Sequence, residues 1–388
     1  MTQEPVTTGI DFQMTDEMKM LQQAAREFAE NEIRPHVMKL DEAQEFPREI
    51  VRKMAELGFL GAVIPPELGG AGLSTLEFVI IMEEIARVDP SVALTFAAHS
   101  GLCLEHIARF GNDAQRKQYV PDLATGKKIG SWCLTEPEAG SDAGGMKTVA
   151  KLDGDSYVIQ GTKSFITNGT LAETFVLMAK TDMTKGKSGI SAFIVERSMG
   201  GISVGKKENK LGMRASDTVQ LVFDGVRVPK QNLLGREDEG FKQALAVLDS
   251  GRIGIAALSV GLAQGAFEAS VKYAKERQTF GKPLAEHQAI QFKLADMAVE
   301  IQAARLLTYK AAVAKAQGKE ITLIAAQAKL FASEVAERVA KEAVQIHGGY
   351  GYIKEFPVEK YYRDAKLLTI GEGTSEVQRM VIAKRLLQ

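Results

Sequence analysis

Residues 152–170 read LDGDSYVIQGTKSFITNGT. β-Branched and aromatic residues alternate with polar ones here, between a D-G and an N-G pair, the punctuation of hairpins. Working outward, TFVLMAK (174–180), SAFIVE (191–196) and TVQLVF (218–223) are further short β-rich runs divided by turn residues. From about Ile129 to Lys230 the chain therefore predicts an all-β unit of modest size.

The period changes on both sides of this stretch. From Met14 to about Lys128 the pattern is helical, with Thr15 placed to cap a first helix. Pro47 opens another that stops at Gly58, Ser74 precedes TLEFVIIMEEIARVD, and Gly111 ends LCLEHIARFG. Beyond about Gln231 the strands stop. Ile290, Leu294, Met297 and Ile301 recur at helical spacing, and Phe331, Val335, Val339, Ala343 and Ile346 continue the stripe on another segment. An antiparallel bundle of about four helices fits. The expected organisation is α+β, mainly α: an N-terminal helical domain over 1–128, a β domain over 129–230 and a helical bundle over 231–388.

With 388 residues, 45% of them apolar, the chain can bury the cores of more than one domain. Its 48 basic and 49 acidic residues nearly cancel, which gives no electrostatic reason to bind nucleic acid or an anionic membrane surface. Two cysteines, Cys103 and Cys133, make no disulfide framework and favour a reducing compartment. No apolar run approaches the roughly 18 residues of a membrane span. The opening MTQEPVTTGI has neither the basic nor the apolar part of a secretory signal, so a cytoplasmic protein, or a trimmed organellar one, is expected.

Several enzyme classes lack their motifs. No G-x-G-x-x-G follows a strand, and the GKS at Gly186 has Thr181 where a phosphate loop needs glycine. There is no C-x-x-C, no H-E-x-x-H and no G-x-S-x-G, and the five histidines are scattered, so no metal site is expected. What remains is WCLTEPEAGSDAG (132–144), which joins the only Trp to hydroxyls and glycines that let a flat ligand approach. On the residues alone, a polar loop entering the β domain explains it as well. In SFITNG, Phe165 and Thr167 are two apart on a strand and share a face. Asp249 and Arg252 lie three apart on a helix, the spacing of an ordinary surface ion pair. Arg277 and Gln288 flank a helix-to-helix turn, where an arginine holds phosphate or is simply solvated. IGEGTSEVQR (370–379) sets Glu372 between two glycines before a final helix, and a surface turn is the plain reading.

Together these segments closely resemble the acyl-CoA dehydrogenase family. CLTEPEAGSDAG, FITNG, ERQTFGKPLAEHQAIQFKLADM, QIHGGYGY and EGTSEVQR each match a family signature, in order and across nearly the whole chain. The texture is most similar to the short-chain, butyryl-type branch. The resemblance implies an N-terminal helical domain, a middle β-barrel and a C-terminal four-helix bundle, as a homotetramer with FAD between barrel and bundles. It implies that Trp132, Leu134, Thr135, Ser141, Phe165, Ile166 and Thr167 line the flavin. Arg277, Gln288 and the stretch Gln345 to Gly349, with Gly348, would reach a neighbouring subunit's flavin, and Thr374, Ser375 and Glu376 would close the site. Ser141, Asp249, Arg252 and Gly373 would meet the coenzyme A thioester, with electrons passing to electron-transferring flavoprotein.

Glu372 would then be the catalytic base, taking the α-proton of an acyl-CoA while the β-hydride goes to the flavin. Gly371 and Gly373 leave room for the thioester, and a backbone N–H near Glu372 would serve an oxyanion hole. Ser375 and Gln378 fit an S-x-x-Q capping box, which places Glu372 before a helix N-terminus that lowers its pKa. Desolvation by a bound acyl chain opposes this and is expected to win. Some relatives carry the base just before the bundle arginine; that position here is Gly251, so the role stays with Glu372. Straight-chain relatives often have Tyr before the base; Gly371 opens that space to a branched or cyclic acyl group. PSVALTFAAHS lacks the arginine that holds a distal carboxylate in glutaryl-type relatives. An acyl-CoA oxidase, whose chains are longer, a DNA-associated flavin-binding member, which calls for a basic surface, and a non-catalytic member of the same fold, against which an intact Glu372 counts, are the alternatives.

Overall fold

The computed structural model describes residues 14–388; residues 1–10, read above for targeting signals, lie outside them. The helical first third comprises α1 (Asp16–Phe28), α2 (Val37–Ala43), α3 (Arg48–Glu56), α4 (Thr75–Val88), α5 (Pro90–Phe96), α6 (Glu105–Phe110) and α7 (Asp113–Ala124). Thr15 caps α1 by accepting from Met18 N–H, and Ser74 and Glu77 form a reciprocal capping box on α4. Between α5 and α6 the backbone runs as a π-helix, Ala97–Leu104, of the wider-turn kind that often marks functional sites.

The middle third is a sheet of β1 (Gly130–Cys133), β2 (Val149–Asp153), β3 (Ser156–Thr167), β4 (Thr174–Lys180), β5 (Ile190–Glu196), β6 (Ile202–Lys207), β7 (Thr218–Pro229) and β8 (Leu233–Leu234). The order is β6-β7-β3-β2-β4-β5-β8, with β1 parallel to β4. The D-G pair makes a hairpin: Asp153 pairs with Ser156, and Gly154 takes φ +60° in the loop. The N-G pair does not. Asn168 takes φ +64° and ends β3, but the next strand pairs elsewhere, and its buried amide donates to Thr95 O and Gly130 O. That asparagine therefore joins the sheet to the first domain.

The continuous apolar runs of β4 and β5 have a tertiary cause. Phe175, Leu177, Phe193 and Val195 pack against Tyr157, Ile159, Leu221 and Phe223 of β3 and β7, so the sheet curls over its own core. Their alternate neighbours Val176, Met178 and Ile194 pack against Leu104, Ile107 and Leu123 of the first domain. Both faces are covered, and alternation disappears.

The last third comprises α8 (Gly240–Glu276), a small ribbon β9 (Gln278–Thr279) and β10 (Lys282–Pro283), then α9 (Gln288–Ala316), α10 (Thr322–His347), α11 (Val358–Leu368) and α12 (Ser375–Leu386). Contrary to the sequence expectation, α8 holds an 18-residue window of mean hydropathy 1.5, long and apolar enough to cross a membrane. Of that window 78% is buried, because α8 is the core helix shared by the first and last domains, against α4 and α10.

Buried ion pairs fix α11, the helix that precedes the turn carrying Glu372. Lys360 Nζ lies 2.8 Å from Asp89 Oδ1 and 2.6 Å from Asp364 Oδ2, with all three side chains sealed. Asp364 also accepts from Met213 N–H at 2.5 Å, and Asp89 from Ser91 N–H at 2.9 Å. One cation thus joins α11 to the start of α5.

Candidate active site

Glu372 sits on the turn between α11 and α12, in the left-handed backbone region at φ +53°, followed by Gly373 at φ +96°. A non-glycine residue there is uncommon and stores strain of order 1 kcal/mol. Gly373 O accepts from Lys329 Nζ at 2.6 Å and from Gln378 Nε2 at 2.9 Å, and Ser375 N–H donates to Thr369 O at 3.0 Å. The capping box read in the sequence is not formed. Thr374 is the N-cap, accepting from Val377 N–H, because the left-handed pair shifts the helix start and turns Gln378 back onto the loop carbonyls.

The turn delivers Glu372 into a cleft lined by Phe78, Ala97, Gly101, Ser250, Gly251 and Gly254, drawn from α4, the π-helix and α8. As a residue Glu372 is half-buried, yet its Oε2 is sealed from solvent and has no hydrogen-bond partner among the described residues. Gly251 makes this placement possible. A Cβ there would overlap Oε2, lying 3.1 Å from Glu372 Cδ and 2.9 Å from Leu102 Cδ2. Positions 251 and 372 therefore meet in space.

Burial pushes the Glu372 carboxyl up to about 7, opposed by the Lys329 ammonium and the Arg252 guanidinium and reinforced by the Glu105 carboxylate. Desolvation outweighs the attractive charges in the free chain, before any acyl group binds.

Arg252 and Asp249 pair at 2.5 Å, as the spacing suggested, but not at the surface. Arg252 is buried with its Nε unpartnered, and Asp249 also accepts from Thr322 Oγ1 at 2.6 Å. α10 covers this face of α8, which a local pattern could not reveal. Three charged residues escaped the sequence reading. Lys329 is wholly buried on α10, and Glu105 and Lys315 pair at 2.8 Å in the wall of the cleft. Their partners are 44 and 210 positions away, so no motif announces them.

On the β domain, Trp132 donates from Nε1 to His106 Nδ1 at 2.9 Å, and His106 Nε2 faces Gln243 Oε1 at 3.0 Å, so one imidazole touches all three domains. With Nδ1 accepting, the proton sits on Nε2, and burial lowers the ring's pKa to about 4. Leu134 and Ile166 are buried, Thr135 and Thr167 half-buried, and Ser141 exposed. Phe165 stands 64% exposed at φ +56°, where a bulge against β7 shifts the register between Lys163 and Ile166. Two residues earlier on β3, buried Lys163 donates to Leu134 O and pairs with Glu136 at 2.8 Å, tying β3 to the segment that follows β1.

The remaining expected residues fall into two further clefts. Arg277 stacks over Tyr350 at 5.5 Å and lines one of them with Gly348 and Gly349, while Gln288 and Gln345 are exposed and lie outside it. Thr374, Ser375 and Glu376 line the other with Arg338, Lys366 and Arg379. Within one chain, then, the Arg277 group is not brought together with Glu372.

Three domains in the order helical, β, helical, with a carboxylate sealed in a cleft between the helical ones, define the class of fold. The chain belongs to the acyl-CoA dehydrogenase family, a family of oxidoreductases that use FAD. The family's N-terminal, middle and C-terminal domain models match residues 15–127, 131–226 and 238–387. It is 48% identical to the short-chain specific acyl-CoA dehydrogenase of Clostridium acetobutylicum, over 97% of this chain and 100% of that one. Butyryl-CoA dehydrogenase from Megasphaera elsdenii superposes with a TM-score of 0.96 at 45% identity, over 98% of this chain and 100% of the other. A chain from the structural study of the electron transferring flavoprotein of Acidaminococcus fermentans gives a TM-score of 0.97 at 46% identity, with the same coverage.

Proposed function

We propose that this chain oxidises a short, branched or cyclic acyl-CoA to its 2,3-enoyl-CoA, with Glu372 as the base that takes the α-proton. The observation that carries this reading is the sealed, unpartnered Oε2 of Glu372 on a strained turn. An unpaired buried carboxylate is costly, and one raised to about 7 is matched to proton abstraction near neutral pH. Glu372 N–H makes no hydrogen bond among the described residues, which leaves it free to meet a thioester oxygen as charge builds there. Asp249 and Arg252, with the loop at Ser141 and the carbonyl-tethered Gly373, are the groups assigned to the coenzyme A thioester.

FAD, when bound, supplies the acceptor for the β-hydride. The residues present fit it. Phe165, held out on a positive-φ bulge, and Trp132, fixed by His106, offer flat apolar surfaces. Ile166 and Thr167 lie on β3 with Phe165, and Leu134, Thr135 and Ser141 on the segment that follows Trp132 and β1. Ser375 keeps a buried hydroxyl without a partner. Gly348 and Gly349 have open space where a Cβ would stand, with Arg277 alongside, as a site completed by a second chain requires. An exposed apolar stripe on α9, Phe292, Val299, Leu306 and Val313, supports association into a homotetramer.

The substrate reading rests on space. Cβ atoms on Gly101 and Gly254 would each come within 4 Å of the Phe78 ring, so a phenyl group and two glycines bound a compact cleft. A Cβ on Gly371 would come no nearer than 3.5 Å to Leu367 O, so packing does not require that glycine, and its bareness leaves room beside the base. Likeness to the chain from the flavoprotein study supports an electron-transferring flavoprotein as acceptor. The test is Glu372→Gln. It should keep bound flavin but lose anaerobic bleaching by butyryl-, isobutyryl- and cyclohexanecarbonyl-CoA, by about 10²–10⁴-fold. Bleaching at the wild-type rate would falsify the assignment.

A further inference from the structure

We propose that Lys329 is the positioning residue of the base: its ammonium ties down the turn that carries Glu372 and supplies the counter-charge facing the carboxylate. This rests on the reading of Glu372 given above.

Lys329 lies in the first third of α10 with no exposed surface, and its single hydrogen bond among the described residues goes to Gly373 O at 2.6 Å. A buried ammonium with one carbonyl partner is a poor bargain for stability alone. That carbonyl belongs to the residue after Glu372, at the end of the left-handed pair, and Gln378 shares it from the other side. The clamp therefore grips the strained segment itself. The sealed Oε2 has no hydrogen-bond partner among the described residues, so backbone restraint and charge are what fix its place.

The charges facing Glu372 come from three elements. Lys329 on α10 and Arg252 on α8 favour its ionised form, Lys329 more strongly, and Glu105 on α6 opposes it. Arg252 is already paired with Asp249, and Glu105 with Lys315. Among the described residues Lys329 has no carboxylate partner of its own; Glu372 acts on it through space, Arg252 repels it, and Glu376 and Glu334 attract it more weakly, the last of them bound to Arg379. Burial pulls Lys329 down to about 8. Its charge is therefore complete on the acid side, where Glu372 still needs help to ionise.

Only the carboxylate accepts a proton, so the second-order rate of flavin bleaching by butyryl-CoA should rise with pH through the Glu372 pKa of the free protein. Removing a nearby cation raises that pKa. In flavin-loaded Lys329→Met the rising limb should move up by about one pH unit, which is a loss of about tenfold below pH 6.5 that shrinks toward pH 9. Lys329→Arg, which keeps the cation, should leave the limb within about 0.3 units of wild type while lowering the plateau. A methionine limb that coincides with wild type, or a loss equal at every pH, overturns the proposal. So does an arginine limb displaced upward, a result that decides the matter alone should the methionine variant fail to fold. Wild-type bleaching by Glu372→Gln in the same series would instead remove the reading beneath.

Discussion

Gly251→Ala adds one methyl group and should separate stability from catalysis. The new Cβ would stand 2.9 Å from Leu102 Cδ2 and 3.1 Å from Glu372 Cδ, and would overlap Oε2. Carbon atoms rest at about 3.5–4.0 Å, so the carboxylate must retreat by about 1 Å. It can do so, because it ends a flexible side chain with no hydrogen bond to break at Oε2. Alanine in the interior of α8 gains about 0.5–1 kcal/mol over glycine, which offsets much of the strain at Leu102. Thermal stability and flavin content should therefore stay near wild type. A base misplaced by about 1 Å costs on the order of 10²-fold in rate. Anaerobic stopped-flow bleaching at saturating butyryl-CoA reads that limiting rate apart from weaker binding. A limiting rate within a factor of about three of wild type would show that the carboxylate does not act from beside Gly251.

Two further outcomes concern stability. His99 and His106 are held neutral, His99 accepting from Gly130 N–H and His106 from Trp132, and burial lowers both to about 4. The unfolded chain, with histidines near 6.5, binds more protons than the folded one between those values. Stability contributed by each ring should therefore fall as pH drops from about 6.5 to about 4, by about 3 kcal/mol per ring. Urea unfolding followed by Trp132 fluorescence across that window checks it, and a flat profile refutes it. Lys360→Met leaves Asp89 and Asp364 buried without their cation and should cost about 3–5 kcal/mol. Adding Asp364→Asn should recover part of the loss, and a methionine variant as stable as wild type would show that the triad is not a restraint on α11.

The sequence by itself determined the order of periods. Helix caps at Thr15 and Ser74, the hairpin at Asp153-Gly154 and the bundle stripe of Met297 and Ile301 are local facts, because capping and alternation act over a few residues. It also marked Glu372, by two glycines and a matching motif. The tertiary structure alone decided what that carboxylate experiences. Burial raises its pKa, Lys329 and Arg252 oppose that rise and Glu105 adds to it, and these charges come from three helices far apart in the chain. Burial of Arg252 under α10 and Asn168 as a bridge between domains rather than a hairpin turn follow from contacts that no window of sequence contains. Local hydrogen bonds and side-chain spacing are written in adjacent residues; desolvation and the balance of charges are properties of the volume those residues enclose.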